Sequence, residues 1–154
     1  MNILITAAST AQAYQLLGLL GLENNVTLAD SFDLPAFMLK NKKFMKIPSG
    51  DSGTFAHELL TACLDLGIHR IFALRPAEVR ALAEARTLFS EYEIDVMVPP
   101  LVLLAKLEMK SGPGTIVIKD PGTGHLSLPE GADYGVFLVN EEGTDSHVSI
   151  FTTS

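Results

Sequence analysis

The sequence of 154 residues has no tryptophan, one cysteine and few basic side chains, and each scarcity excludes a class of protein. One cysteine cannot form an intramolecular disulfide or a cysteine-rich zinc site, and this usage is typical of a reducing cytoplasm. Eleven basic against 18 acidic residues give a net charge of −7, which would repel the phosphate backbone of a nucleic acid. No run of about 18 uninterrupted apolar residues occurs, so the sequence predicts no membrane span. We therefore expect a cytoplasmic protein without a nucleic-acid or membrane partner.

Two parts of the chain differ in composition. Hydrophobic residues make up 47% of the chain, which is enough to bury the core of one compact domain. Residues 1–110 carry 10 basic and 12 acidic side chains, whereas residues 111–154 carry one basic and six acidic side chains and seven of the 12 glycines. We therefore expect a body formed by residues 1–110 and an acidic, β-rich extension formed by residues 111–154. A small sheet is not stable alone, so the extension should pack on the body or on a partner.

Short apolar segments alternate with helical segments along the body. Strands are predicted at residues 2–6, 26–29, 44–47, 71–74 and 94–98. Helices are predicted at about residues 10–22, 35–40, 53–66, 75–90 and 100–109. Buried strands joined by helical crossovers are typical of a parallel sheet, and right-handed crossovers predict the strand order 3-2-1-4-5. The predicted fold class is α/β, a Rossmann-like doubly wound parallel sheet with helices on both faces.

The extension has a different pattern. Four more strands are predicted at residues 115–119, 125–128, 134–139 and 146–151. Turns rich in glycine, proline and acidic residues separate them, as the segment Asp120–Gly124 illustrates. Alternating apolar and polar residues in the last strand indicate one covered face. We therefore expect an antiparallel β extension.

The loop after the first strand is the first candidate binding element, because ligands of such sheets bind outside the carboxyl ends of the strands. The hydroxyl groups of Ser9 and Thr10, with the N–H groups of the following helix, suit an anion. The loop Ala7–Ala11 has methyl groups where a dinucleotide-binding loop has glycines. This difference argues against tight dinucleotide binding.

Three charged residues complete the candidate ligand-binding set. Asp30 ends the second strand, where an acid can bind a ribose hydroxyl or can cap the next helix. Arg75 follows the fourth strand and either holds a carboxylate or phosphate through its planar guanidinium or forms a surface ion pair. Glu78 lies in the first turn of the helix after Arg75.

The other reactive side chains suit structural roles. Cys63 lies on the apolar stripe of its helix and is expected to be a core residue. The four histidines, including His125 on a glycine-rich turn, show no metal-ligand spacing. No catalytic motif occurs. We therefore expect no catalytic residue, no bound metal and no cofactor.

Several segments of residues 1–108 match the pattern of one known family. They are Asn2–Ser9, Val26–Ser31, Lys43–Pro48, Phe55–Cys63, Ile68–Leu74, Glu78–Phe89 and Val96–Pro99. In these segments the chain resembles the pre-ATP-grasp domain, the Rossmann-like N-terminal domain of ATP-grasp proteins related to the carbamoyl-phosphate-synthase large subunit and biotin carboxylase. In those enzymes the domain helps to frame the acceptor-substrate site, whereas ATP, magnesium and the acyl-phosphate chemistry belong to the two following domains. The resemblance implies ligand-facing roles for Ser9, Asp30 and Glu78.

Three functional hypotheses follow. The first is a non-catalytic, stand-alone pre-ATP-grasp-like domain that binds a small anionic metabolite or a protein partner, which includes a second copy of the chain. The second is the acceptor-side component of a split ATP-grasp ligase, of the carboxylate-amine or carboxylate-thiol type, acting with a separate ATP-binding chain. The third is a nucleotide sensor that uses Asp30 and the first loop. Because residues 109–154 are too few to form the ATP-grasp catalytic domains, we expect no catalysis by this chain alone.

Overall fold

The computed structural model of the protein describes residues 1–39, 42–124, 127–142 and 145–153, apart from the side chains of Glu142 and Asp145. Its first sheet has five strands: β1 (Asn2–Ile5), β2 (Asn25–Asp30), β3 (Lys43–Lys46), β4 (Arg70–Phe72) and β5 (Asp95–Val96). All neighbouring strands are parallel, and the order is β3-β2-β1-β4-β5. The predicted fold class and strand order are confirmed.

Six helices are described: α1 (Ala11–Leu20), α2 (Ala36–Leu39), α3 (Phe55–Leu66), α4 (Pro76–Glu84), α5 (Arg86–Glu91) and α6 (Leu101–Leu104). The helix predicted at 75–90 is divided into α4 and α5, because Ala85 leaves the helical region at φ −98° and ψ 8°. Thr54 precedes α3, and Gly67 follows it with a φ of 65°, which glycine adopts readily because it has no side chain. No helix in the described ranges is long and apolar enough to cross a membrane.

The helix predicted at 100–109 is wrong beyond its first turn. Its C-terminal part is extended and forms β6 (Met109–Lys110), which lies parallel to β9 (Asp145–Phe151). The carbonyl of Glu108 accepts the N–H of Ile150 at 2.7 Å, so pairing with a distant strand replaces the hydrogen bonds of a helix.

The extension forms a second sheet in the order β6-β9-β8-β7, with β7 at Thr115–Lys119 and β8 at Gly135–Glu142. Strands β7, β8 and β9 are antiparallel, as predicted, and β6 makes the sheet mixed. Of the strand predicted at 125–128, Ser127 and Leu128 lie in a turn, and His125 and Leu126 lie outside the described residues.

Two hydrophobic clusters cover the two faces of the parallel sheet. One face, which includes Leu4 of β1, packs against α3, α4 and Phe89 of α5. On the other face, Ile3, Ile5 and Phe72 pack against α1 and against inward side chains of the second sheet. These side chains are Val136, Leu138 and Phe151. Phe137 and Ile150 of the second sheet belong to the first cluster, so the second sheet contributes side chains to both clusters.

Candidate functional site

The carboxyl ends of β1, β2 and β4 bring Ser9, Asp30 and Arg75 together. Asp30 is completely buried, with 0% of its surface exposed. One carboxylate oxygen accepts the backbone N–H of Ser9 at 3.0 Å and its hydroxyl at 2.7 Å. The other oxygen accepts the backbone N–H of Ser31 at 2.7 Å. The Asp30 carboxylate therefore joins the loops that follow β1 and β2.

Arg75 connects this carboxylate to the end of β4. Its Nη2 atom donates to both oxygens of Asp30 at 3.0 Å and lies 3.2 Å from the hydroxyl oxygen of Ser9. The pair differs from a surface ion pair, because one partner is inaccessible to water. Asp30 also does not cap the next helix, since α2 begins six residues later at Ala36. We call Ser9, Asp30 and Arg75 the switch-point cluster, because they lie where the sheet order reverses between β1 and β4.

The electrostatics of the cluster keep Asp30 ionised. Burial alone raises the pKa of the Asp30 carboxyl, because a charge is poorly solvated in the interior. The hydrogen bonds from Ser9 and Ser31 and the positive charge of Arg75 outweigh burial, so the pKa is lowered below its ordinary value. At neutral pH the negative charge of Asp30 therefore balances the positive charge of Arg75.

Glu78 lies under the cluster and is also completely buried. One of its carboxylate oxygens accepts the backbone N–H of Arg75 at 3.4 Å. The other oxygen, Oε2, has no partner among the described residues. Burial raises the pKa of Glu78, with a smaller contribution from the charge of Asp30. This carboxyl group therefore binds a proton more readily than an exposed glutamate does.

The guanidinium group of Arg75 retains hydrogen-bonding capacity. Its Nε atom is buried without an acceptor in the described part of the chain, and only Nη2 makes hydrogen bonds there. The ring of Phe32 lies over the guanidinium, with 5.5 Å between the guanidinium carbon and the ring centre. Phe32 is itself 59% exposed, so it covers Arg75 from the solvent side.

No protein-family model matches the chain, and no curated protein has a similar sequence. The chemistry of the site therefore has to be read from its own residues.

Thr10 lies in the same loop as Ser9 but has a different role. Its hydroxyl donates to the carbonyl of Ala7 at 2.7 Å and accepts the N–H of Ala13 at 3.3 Å, so it caps α1. Among the described contacts, none joins the Thr10 hydroxyl to Asp30 or Arg75. Thr10 was predicted to bind ligand, and the structure places its side chain in the turn that presents Ser9.

The same turn explains how a loop without glycine can fit here. Ala7 adopts a φ of 56°, a conformation that costs a non-glycine residue about 1–2 kcal/mol. Hydrogen bonds on both sides compensate, since Ala8 donates to Ala29 at 3.0 Å and Thr10 to Ala7 at 2.9 Å. The turn is therefore held in place by hydrogen bonds on both sides of Ala7.

Sequence reasoning missed three residues of the site: Thr6, Phe32 and Gly50. Thr6 accepts the N–H of Leu74 at 2.9 Å and so fixes the loop before Arg75. A Cβ atom on Gly50 would lie 2.6 Å from the Glu78 backbone nitrogen, so this glycine permits close packing against α4. Thr6 could have been found, because it directly follows the first strand, whereas nothing local marks Phe32 or Gly50.

The remaining candidates lie elsewhere. Cys63 is completely buried in the core, as predicted, and burial raises the pKa of its thiol to about 12. His57 and His147 are exposed, and His69 accepts the backbone N–H of Asn2 at 3.2 Å. His125 lies outside the described residues. Within the described ranges, no three His, Cys, Asp or Glu side chains form a group that could hold a metal.

Proposed function

We propose that this protein is a pre-ATP-grasp-like binding domain without catalysis, which takes a small anionic ligand at the switch-point cluster. The chemical class is a carboxylate or phosphate monoanion. The observation that carries this proposal is the state of Arg75. Its Nη2 atom is held by a buried carboxylate, while its buried Nε atom has no acceptor among the described residues.

A ligand oxygen would relieve an unfavourable arrangement at Arg75. A buried N–H group without an acceptor costs about 1–3 kcal/mol, and hydrogen bonds to charged groups contribute about 1.5–3 kcal/mol. Phe32 is more than half exposed, so its ring can turn aside without loss of core packing. The Ser9 hydroxyl, which donates to Asp30 and accepts from Nη2 of Arg75, holds the guanidinium in position.

The charge balance of the cluster favours a small anion over a polyanion. Asp30 compensates Arg75, so the site has little excess positive charge to attract several phosphates. The net charge of −7 on the chain repels polyanions further. A single carboxylate or phosphate group needs directed N–H donors, which the guanidinium of Arg75 provides.

Two further points support the proposal. The resemblance to pre-ATP-grasp domains assigns ligand-facing roles to Ser9, Asp30 and Glu78. Ser9 is exposed at the cluster, whereas Asp30 and Glu78 are buried and can act only by holding Ser9 and Arg75 in place. Both oxygens of Asp30 accept hydrogen bonds from the protein, so neither is free to act as a general base. Binding without chemistry therefore fits this cluster better than catalysis does.

The test is an NMR titration of the ¹⁵N-labelled full chain with inorganic phosphate and, separately, with acetate. We expect saturable shifts of the amide signals of Ser9, Ser31 and Glu78 with at least one of the two anions. The Arg75→Gln variant should lose these shifts, whereas Arg80→Gln, the same change at an exposed position of α4, should keep them.

A second variant keeps the test valid if Arg75→Gln unfolds. Ser9→Ala removes one hydroxyl but retains the backbone N–H that binds Asp30, and we expect about 5- to 10-fold weaker binding from the loss of one hydrogen bond. The proposal is wrong if neither anion gives saturable shifts. It is also wrong if both Arg75→Gln and Ser9→Ala bind as tightly as the unmodified protein.

A further inference from the structure

A cavity of about 330 Å³ lies beside β5, away from the switch-point cluster. It is bounded by α4 and α5, by β5 and the start of α6, and by Tyr134 just before β8. The polar side chains that line it are Arg86, Thr87, Ser90, Asp95 and Tyr134. We call it the β5 cavity, and its volume lies within the range of about 300–1,000 Å³ that is usual for small-molecule sites.

The charges around the β5 cavity are already balanced. Arg86 forms an ion pair with Asp133. Asp95 accepts a hydrogen bond from Arg70 at 3.2 Å, and Arg70 also bonds to Asp120 at 3.0 Å. A charged ligand would have to compete with these pairs and lose its own hydration, so the cavity does not favour an ion.

Uncharged hydrogen-bonding groups remain available in the cavity wall. The Ser90 hydroxyl donates to the carbonyl of Thr87 at 2.8 Å and can still accept a hydrogen bond. Burial and the neighbouring carboxylate of Asp95 raise the pKa of Tyr134, so its phenol keeps its proton at neutral pH. The wall therefore offers hydroxyl oxygens that can accept hydrogen bonds from a ligand.

The open edge of β5 adds a backbone donor. The N–H groups of Asp95 and Met97 donate to carbonyls of the β4 side at 2.9 Å, so the N–H of Val96 between them points to the other side of the strand. Val96 lines the cavity, together with apolar atoms of Leu101 and Ile94. Dispersed hydroxyl, amide and apolar groups suit a molecule that has both hydroxyl groups and C–H surface.

We propose that the β5 cavity is a second binding site, which takes a small uncharged polyhydroxylated molecule of the sugar or polyol class. Such a molecule exchanges hydrogen bonds with the Ser90, Thr87 and Tyr134 hydroxyls without disturbing the ion pairs of Arg86 and Asp95. Its C–H groups contact Leu101 and Ile94. This site is independent of the function proposed for the switch-point cluster.

The test uses NMR titrations of the labelled full chain with D-ribose, D-glucose and glycerol. Glycine, a zwitterion that carries an ammonium and a carboxylate group, is the comparison. We expect at least one of the three polyols to shift the amide signals of Ser90, Val96 and Tyr134 saturably, with glycine binding more weakly. Ser90→Trp fills the cavity from an exposed position and should weaken binding about 10-fold or more. Glu91→Trp places the same ring on the neighbouring exposed residue, outside the lining, and should leave binding unchanged.

The proposal is overturned if none of the three polyols shifts these signals, or if glycine binds more tightly than all of them. It is also overturned if Ser90→Trp, with amide signals that show it folded, binds as the unmodified protein does. If Ser90→Trp is unfolded, Tyr134→Phe serves instead, and an unchanged affinity in that variant overturns the proposal. Phosphate and acetate should shift the amide signal of Ser9 but not that of Tyr134. Failure of binding at one site can therefore be told from failure at the other.

Discussion

Replacing Asp30 by asparagine tests how strongly the buried carboxylate holds the ends of β1, β2 and β4 together. The carboxylate accepts hydrogen bonds from the N–H and hydroxyl of Ser9 and the N–H of Ser31, besides the guanidinium of Arg75. The amide NH2 group of asparagine cannot accept any of them. Breaking a buried ion pair from one side costs about 3–5 kcal/mol.

The exposure of Arg75 sets the magnitude within that range. Because 26% of the Arg75 side chain is exposed, water replaces part of the lost partner, and we discount the cost to about 3 kcal/mol at pH 7. In a domain of this size, 3 kcal/mol corresponds to a fall in Tm of about 6–12 °C. The loss should appear as a lower urea midpoint with an unchanged m-value.

The pH dependence of the same variant provides a second check. The pKa of Asp30 is lowered in the folded protein, so its stabilisation is present above the ordinary aspartate pKa and is lost as the pH falls through the folded-state value. The difference in unfolding free energy between the unmodified protein and Asp30→Asn should therefore shrink in acid.

Asp33→Asn is the matched control. Asp33 is 82% exposed and pairs with Lys46, which is 58% exposed, so we expect a change below about 0.5 kcal/mol. The reasoning fails if Asp30→Asn costs no more than Asp33→Asn at pH 7. It also fails if the cost of Asp30→Asn does not change with pH.

Three further predictions concern Glu78, the second sheet and Gly50. Because the pKa of Glu78 is raised in the folded protein, the unfolding free energy should fall as the pH rises from the ordinary glutamate pKa through the folded-state pKa. Glu78→Gln should remove this fall, as measured by urea unfolding at several pH values in that range. An unchanged pH profile would contradict it. Phe137→Ala should lower the unfolding free energy by about 3–5 kcal/mol, because Phe137 is completely buried. Since Phe137 shares a hydrophobic cluster with the parallel sheet, calorimetry should show one transition for both sheets rather than two. Gly50→Ala should lower the unfolding free energy by about 1–3 kcal/mol, because the new Cβ atom would lie 2.6 Å from the Glu78 nitrogen. Gly53→Ala is the control: its Cβ atom would meet nothing within 4 Å, so thermal denaturation should show an unchanged midpoint. Equal midpoints for the two glycine variants would refute the role given to Gly50.

The parallel sheet could be predicted from the sequence because its signals are local. Each strand is a short apolar run bounded by turn residues, and the handedness of the crossovers fixes the order of the strands. The extended conformation of Met109 and Lys110 could not be predicted, because it depends on hydrogen bonds to Ile150 and Thr152 from a strand about 40 residues away. Their local sequence fits a helix equally well.

The candidate site was predictable as a set of positions but not as a set of contacts. Ser9, Asp30 and Arg75 were expected because each lies at or just beyond the carboxyl end of a strand. Their mutual hydrogen bonds depend on side-chain directions that no local pattern specifies, and the same holds for the capping role of Thr10. The β5 cavity joins residues 83–101 to Tyr134 of the extension, and such a long-range combination leaves no mark in the sequence.

The hydrogen bond from the N–H of Thr153 to the carbonyl of Leu74, at 2.7 Å, links the end of β9 to the residue before Arg75. Because synthesis proceeds from the amino terminus, residues 71–75 leave the ribosome long before Thr153 does. The loop that carries Arg75 therefore lacks one of its anchors throughout translation of the extension. We expect the switch-point cluster to be among the last parts of the protein to become ordered.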